Sequence, residues 1–191
     1  MSSETPILLS NCTADAISNA AAALQAGALV AFPTETVYGL GADATNESAV
    51  AHIYRVKGRP ADHPLIVHIG QLSQLDQWAI DIPDYAIALA RDFWPGPMTL
   101  ILKRSEKAKD FITGGQDSVG IRIPANPIAL ALLREFTGGI AAPSANRFGA
   151  ISPTTAQAVK DEIGEYLNPE RDLILDGGPS LVGGLTAGSV K

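Results

Sequence analysis

Two periods of apolar positions run through this chain and lay out a succession of short elements. Over 15–25, Ile17, Ala20, Ala21 and Leu24 recur at helical spacing, with Thr13 placed to cap the start and Gly27 to end it. The run 28–32 is continuously apolar and closes on Pro33, which predicts a buried strand. Asn46 or Ser48 opens a second helix, on which Val50, Ile53, Tyr54 and Lys57 fall near one another. A strand is predicted over 65–69, and a helix running from Pro83 towards Phe93 with the proline at its first position. The turn Trp94-Pro95-Gly96-Pro97 leads into a strand at 98–102, and further strands are expected at 119–123, 140–142 and 173–175. The remaining helices are Pro127–Phe136 and one through Ile163, begun by Ser152 as cap and Pro153 as first-turn proline.

Strands and helices alternate without a linker, repeat or low-complexity tract, so a single α/β domain over 1–191 with a twisted, mixed sheet is expected. An apolar fraction of 46% against 18% charged residues fits a packed globule. The longest apolar stretches, 20–24 and 28–32, are far shorter than the roughly 18 residues a membrane span needs. The first six residues lack the basic and apolar regions of a secretory signal, and the single cysteine, Cys12, rules out an internal disulfide framework or a multi-cysteine metal site. A cytosolic protein is expected. The net charge of −6 disfavours a surface that coats nucleic acid. Lys57, Arg59, Arg122 and Arg147 could still share one concavity, for which an anionic small molecule is the more natural partner.

Three segments hold polar residues where a core would not want them. The first, Thr34-Glu35-Thr36-Val37-Tyr38-Gly39-Leu40-Gly41, follows the first apolar strand, at the strand end where open α/β sheets bind ligands. A turn whose threonines and tyrosine satisfy backbone groups explains it equally well. Gly39-x-Gly41-x-x-Ala44 weakly echoes a dinucleotide fingerprint, but Asp62, which would have to end a strand, falls in a turn. An NAD site is therefore rejected, and no Walker-type phosphate loop is present. The second segment, Lys57-Gly58-Arg59-Pro60 with His63 behind it, offers a point charge and a bidentate fork to phosphate oxygens. Two solvated cations at a helix C-terminus are the commoner outcome for such a pair. His63 and His68 lack the companions of a metal site and read as hydrogen-bonding histidines, and His52 reads as structural. The third segment, 141–149 with Ser152, carries Ser144 and Asn146. Ser144 lacks a hydrolase elbow, so hydrogen bonding to phosphate, ribose or base suits the pair better. Ser152 can be an anion-binding helix start, an ordinary N-cap, or both. Ser118 and Arg122, four apart on one strand, share a face.

Taken together these blocks are more specific than any one of them. The first two segments are joined by His63-Pro64-Leu65, Phe93-Trp94-Pro95-Gly96-Pro97-Met98-Thr99 and Ser118-Val119-Gly120-Ile121-Arg122-Ile123-Pro124. Ala142-Pro143-Ser144-Ala145-Asn146 and Ser152-Pro153-Thr154 complete the series, in that order over 15–180. The chain thereby resembles the YrdC-like family of threonylcarbamoyl-AMP synthases. That resemblance implies a twisted open mixed sheet with flanking helices and a large concave cleft. It implies that Lys57, Arg59, His63, Ser118, Ser144, Asn146 and Ser152 bind ATP, with Lys57 and Arg59 catalytic through charge and positioning. Thr34, Tyr38, His68, Arg122 and Ala142 would bind threonine, with Arg59 between the two substrates. The implied reaction joins L-threonine, bicarbonate or CO2 and ATP, with Mg2+ accompanying ATP and no protein metal site, to give threonylcarbamoyl-AMP and pyrophosphate. The implied consumer is the tRNA threonylcarbamoyl-transfer machinery, with weak direct tRNA contact as an accessory possibility and no membrane. Lys57→Ala or Arg59→Ala is expected to leave folding intact and strongly lower pyrophosphate release.

One departure bears on the site. Where the family continues with a Glu-Ser-Thr-like strand, this chain reads Gly183-Gly184-Leu185-Thr186-Ala187-Gly188-Ser189-Val190-Lys191. The expectation is a shortened C-terminus or a pocket closed differently, without the longer members' additional domain. Two other readings compete: the related carbamoyl-adenylate-forming domain of hydrogenase maturation, and a double-stranded RNA or tRNA-binding module.

Overall fold

The computed structural model describes residues 7, 9–181 and 189–190. The strands are β1 (Leu9–Asn11), β2 (Val30–Pro33), β3 (Tyr38–Asp43), β4 (Ile66–His68), β5 (Thr99–Lys103), β6 (Ser118–Arg122), β7 (Ile140–Ala141), β8 (Leu173–Asp176) and β9 (Ser189–Val190). The helices are α1 (Ala14–Gln25), α2 (Glu47–Lys57), α3 (Leu75–Trp78), α4 (Asp84–Phe93), α5 (Asp110–Thr113), α6 (Pro127–Phe136) and α7 (Ala156–Ile163). Helix starts follow local chemistry. Thr13 accepts from the Ala16 amide at 3.1 Å to cap α1, and Asn46 accepts from Ala49 at 3.1 Å to cap α2. Asn126 caps α6, with Pro127 at its first position. Gly58 ends α2 in the left-handed conformation, φ 62°.

Described strands form one mixed sheet in the order β1-β8-β2-β3-β7-β4-β6-β5-β9. The pairs β1–β8, β8–β2, β4–β6 and β5–β9 are parallel; β2–β3, β3–β7, β7–β4 and β6–β5 are antiparallel. Alternation sends side chains to two differently furnished faces. On one, Leu29, Ala31, Tyr38, Leu40, Val67, Leu100, Val119 and Ile121 pack with residues of α2, α3, α4, α5 and α7. On the other, α1 and α6 pack Leu24, Leu132, Leu133 and Phe136 against Val30, Phe32, Ile140 and Leu175. The described helices α1 and α6 cover that second face across β8, β2, β3 and β7. Across β4, β6 and β5 its residues Ile66, Gly120, Ser118 and Ile101 stay partly exposed, which leaves an open half-face.

Three expectations need correction. Tyr38–Asp43 is a strand rather than a ligand loop, and 34–37 is the hairpin turn joining it to β2. Gly39 and Gly41 lie opposite Phe32 and Val30, where a Cβ on Gly41 would sit 2.8 Å from the Phe32 ring. Close packing thus demands a glycine at 41, which helps hide the strand's apolar period. Ser152-Pro153 does not begin a helix: α7 starts at Ala156, capped by Thr155, and Pro153 is drawn aside by the Tyr38 amide, which donates to its carbonyl at 2.9 Å. Pro83 is the N-cap of α4 rather than its first residue. Most of the departing C-terminal stretch, 182–188 and 191, lies outside the described residues; Ser189–Val190 pairs in parallel with β5.

Candidate active site

Strand register places His68 of β4 directly opposite Arg122 of β6 and Ile140 of β7, at the inner end of the open half-face. His68 is 3% exposed, its ring lies edge-on to Phe32 at 6.3 Å, and its Nδ1 has no hydrogen-bond partner among the described residues. Burial pulls its pKa down to about 4, so it is neutral at physiological pH. Arg122 is buried as well; Nε donates to the Gly96 carbonyl at 3.1 Å, and Nη2 forms an ion pair with Glu35. Burial lowers its pKa to about 10, which still leaves the guanidinium charged. Thr99, on the strand beside Arg122, has a buried hydroxyl without a partner among the described residues. Thr34 sits at the hairpin turn, where its Oγ1 donates to the Val37 carbonyl at 2.7 Å and lies 3.1 Å from the Thr36 hydroxyl.

Lys57, Asn146, Ser144, Arg59 and His63 form a second cluster where α2 meets the loop after β7. Lys57 is 2% exposed, although its spacing suggested a cation offered to solvent or phosphate. Its Nζ donates to the carbonyl oxygens of Ser144 and Asn146, both at 2.6 Å. Burial, then Arg59 and Arg147, lower its pKa to about 8. Asn146 donates from Nδ2 to the carbonyls of Arg147 at 2.7 Å and Ala150 at 2.8 Å, so its amide holds the loop's shape. Arg147 does not share the concavity: Nη1 donates to the Val56 carbonyl at 2.6 Å at the end of α2, and the guanidinium lies 4.4 Å over the Tyr166 ring. Arg59 donates to the Pro64 carbonyl at 2.9 Å, while its buried Nε has no partner among the described residues. His63 stacks edge-on against Phe148 at 5.3 Å, and the Phe148 amide donates to the Lys57 carbonyl at 2.7 Å.

A single stretch of chain, 140–146, passes from one cluster to the other. Ile140 lies opposite His68, and the Ala142 amide donates to the Ile66 carbonyl at 3.1 Å. Pro143 accepts from Leu40 at 2.8 Å, Ser144 bridges to Gly39, and the Ala145 amide donates to Tyr38 at 2.9 Å. Ala142, expected on the threonine side, is thus where the two clusters join. Ser118 shares the face of Arg122 but sits at the other end of β6, about 13 Å away at the rise of a strand. Ser152 is half-buried, two residues before the strand-like contact of Thr154, whose carbonyl accepts from Ser180 at 2.8 Å.

Tyr38 departs from its expected place. Its ring is fully buried on the opposite face, and its hydroxyl donates to the Gly178 carbonyl at 2.7 Å and accepts from the Gly177 amide at 3.1 Å. It therefore shapes the loop after β8 rather than lining the open face. Sequence reasoning left Glu35, Thr99 and Ser180 unassigned. The Ser180 hydroxyl is buried without a partner among the described residues, and no local motif marks it. A depression of about 970 Å3 lined by Thr45, Glu47, Arg104 and Lys109 holds none of the expected residues. Its Arg104 is committed to Asp110 at 2.7 Å and Thr113 at 2.9 Å, so the chemistry lies with the two clusters.

The arrangement can bind a carboxylate through Arg122 at one end and place Arg59, Ser144 and the α2 terminus near a polyanion at the other. Known proteins resemble it throughout. A threonylcarbamoyl-AMP synthase from Pyrococcus abyssi is 50% identical over 164 residues, covering 86% of this chain and 47% of that protein. One from Bacillus subtilis is 48% identical over 168 residues, covering 87% and 47%. The crystal structure of P. abyssi Sua5 complexed with L-threonine superposes with a TM-score of 0.90 at 45% identity, over 95% of this chain and 53% of that one. The chain thus spans about half the length of these relatives. With a family model labelled Sua5_yciO_yrdC and described as "Telomere recombination" matching residues 22–186, this chain belongs to the Sua5–YciO–YrdC family.

Proposed function

We propose that this domain forms threonylcarbamoyl-AMP from L-threonine, bicarbonate or CO2 and ATP. The observation that carries the reading is the placement of Arg122 with His68 and of Lys57 with Arg59, Ser144 and Asn146 at two ends of one stretch of chain, 140–146. The names of the P. abyssi and B. subtilis relatives and the threonine held by P. abyssi Sua5 support the same substrate.

Threonine's carboxylate pairs with Arg122, which remains charged despite burial. The threonine amine adds to CO2 with loss of a proton, giving a carbamate. A carbamate oxygen then attacks the α-phosphorus of ATP; the bond to the β-phosphate oxygen breaks and pyrophosphate leaves. Little proton transfer is asked of side chains, and positioning and charge supply the acceleration. Arg59 neutralises phosphate charge. Lys57 acts mainly by fixing the Ser144–Asn146 backbone that receives the nucleotide. No group of three or more His, Cys, Asp or Glu side chains fit to hold a metal ion occurs among the described residues. Mg2+ would accompany the ATP phosphates as a counter-ion.

The product serves a tRNA threonylcarbamoyl-transfer step. No described helix is long and apolar enough to cross a membrane. No specific observation favours carbamoyl phosphate as substrate. RNA binding is not favoured either, since Arg104 and Arg147 are already engaged in the fold. The deciding experiment measures pyrophosphate release from ATP with L-threonine and bicarbonate each omitted in turn. Release that needs both supports the proposal; release indifferent to threonine sinks it.

A further inference from the structure

Glu35 pairs with Arg122 and, through its other oxygen, is hydrogen-bonded to the backbone before α6. It stands in the β2–β3 turn with a side chain 13% exposed. Oε2 accepts from two consecutive backbone amides at the start of α6, Ala125 at 2.7 Å and Asn126 at 3.1 Å. Oε1 pairs with Nη2 of Arg122, whose side chain is 5% exposed. Two backbone amides hold one carboxylate oxygen in place. The same anchoring makes it a rigid post for the arginine.

Arg122 is held along one edge only. Nε goes to the Gly96 carbonyl and Nη2 to Glu35, whereas Nη1 makes no hydrogen bond among the described residues. A guanidinium is planar and presents its donors in fixed forks, so pinning one edge sets the direction of the other. We infer that Glu35 is a positioning residue for the amino-acid end of the site. It ties Arg122 to the start of α6, so that the guanidinium turns its remaining edge towards a substrate carboxylate. This inference rests on the proposal that Arg122 receives the carboxylate of threonine.

The span matters as well as the charge. Glu35 reaches from one hairpin turn to both the α6 start and Arg122, and aspartate, one methylene shorter, cannot keep both sets of contacts. In Glu35→Gln the amide must turn a donor towards either Arg122 or the two backbone amides, and one contact becomes donor against donor.

The test is equilibrium binding of L-threonine and steady-state pyrophosphate release by the wild type, Glu35→Gln and Glu35→Asp, with thermal unfolding as a control for folding. Both variants are expected to bind threonine about tenfold more weakly, the scale of one charge-assisted hydrogen bond. The threonine KM should rise in parallel, while kcat and the KM for ATP stay within about twofold. Unchanged or tighter threonine binding in Glu35→Gln would overturn the inference, since it would show the carboxylate to be idle or a competitor. Normal binding in Glu35→Asp beside weak binding in Glu35→Gln would also overturn it, reducing the role to charge alone. An equal rise in the KM for ATP would point to a general loss of fold and count against it. A wild type that binds no threonine removes the proposed function itself, an outcome distinct from a wild type that binds it and variants that match.

Discussion

Lys57 ends with its Nζ 2.6 Å from the carbonyl oxygens of both Ser144 and Asn146, so the last residue of α2 is fastened to the loop that follows β7. This alters what substitution there should do. A surface cation could be removed with the fold intact, but Lys57 is 2% exposed and its loss leaves the buried Asn146 carbonyl and the partly buried Ser144 carbonyl without their donor. Lys57→Ala is expected to destabilise the domain by about 2–4 kcal/mol in urea unfolding. Arg59→Ala should leave the unfolding midpoint near the wild type and lower pyrophosphate release instead. Equal stability of the two variants would show that the buried contacts of Lys57 are unimportant to folding.

His68 gives the domain a definite response to acid. Burial holds its folded pKa near 4 against an ordinary 6.5. Between those values the unfolded chain takes up a proton that the folded chain refuses. Its contribution is therefore complete above pH 6.5 and is lost as pH falls towards 4, by about 3 kcal/mol. Urea midpoints across this range should fall for the wild type and fall less for His68→Gln. Parallel slopes would place the acid sensitivity elsewhere.

Tyr38→Phe removes a hydroxyl that serves Gly177 and Gly178 at once. A loss of about 1–2 kcal/mol is expected, because a partly buried carbonyl and a partly buried amide lose their partner together. The ring remains packed, so hydrogen exchange should quicken at Gly177, whose amide loses its acceptor, and stay unchanged in α2. Unaltered exchange at Gly177 would refute the link.

Gly41→Ala tests the closeness of the hairpin. The added methyl would meet the Phe32 ring at 2.8 Å and Ile140 Cγ2 at 2.9 Å. Overpacking of this kind costs about 1–3 kcal/mol. A variant as stable as the wild type in thermal unfolding would mean the two side chains yield freely.

The chain announces its helices more openly than its site. Thr13, Asn46 and Gly58 are local signals, read from neighbours three or four residues away, and α1 and α2 stand where those signals put them. Strand β3 was hidden in part because packing against Phe32 demands a glycine at 41, which breaks the alternation that reveals a strand. The start of α7 was misplaced for a related reason: Pro153 suits a first turn, but Tyr38, distant in sequence, claims its carbonyl. The resemblance supplied the candidate residues by type and order. It could not say that Lys57 points inward, that Tyr38 belongs to the far face, or that Glu35 meets Arg122. Each of those facts depends on partners far along the chain, and no spacing rule carries such information.

Residues 140–146 are held by β3, β4 and Lys57 along their length, with hydrogen bonds on both sides. A segment so laced behaves as a tie-rod and has little slack in which to absorb a displacement. Any coupling between ligands at its two ends is reciprocal, each changing the affinity of the other by the same factor.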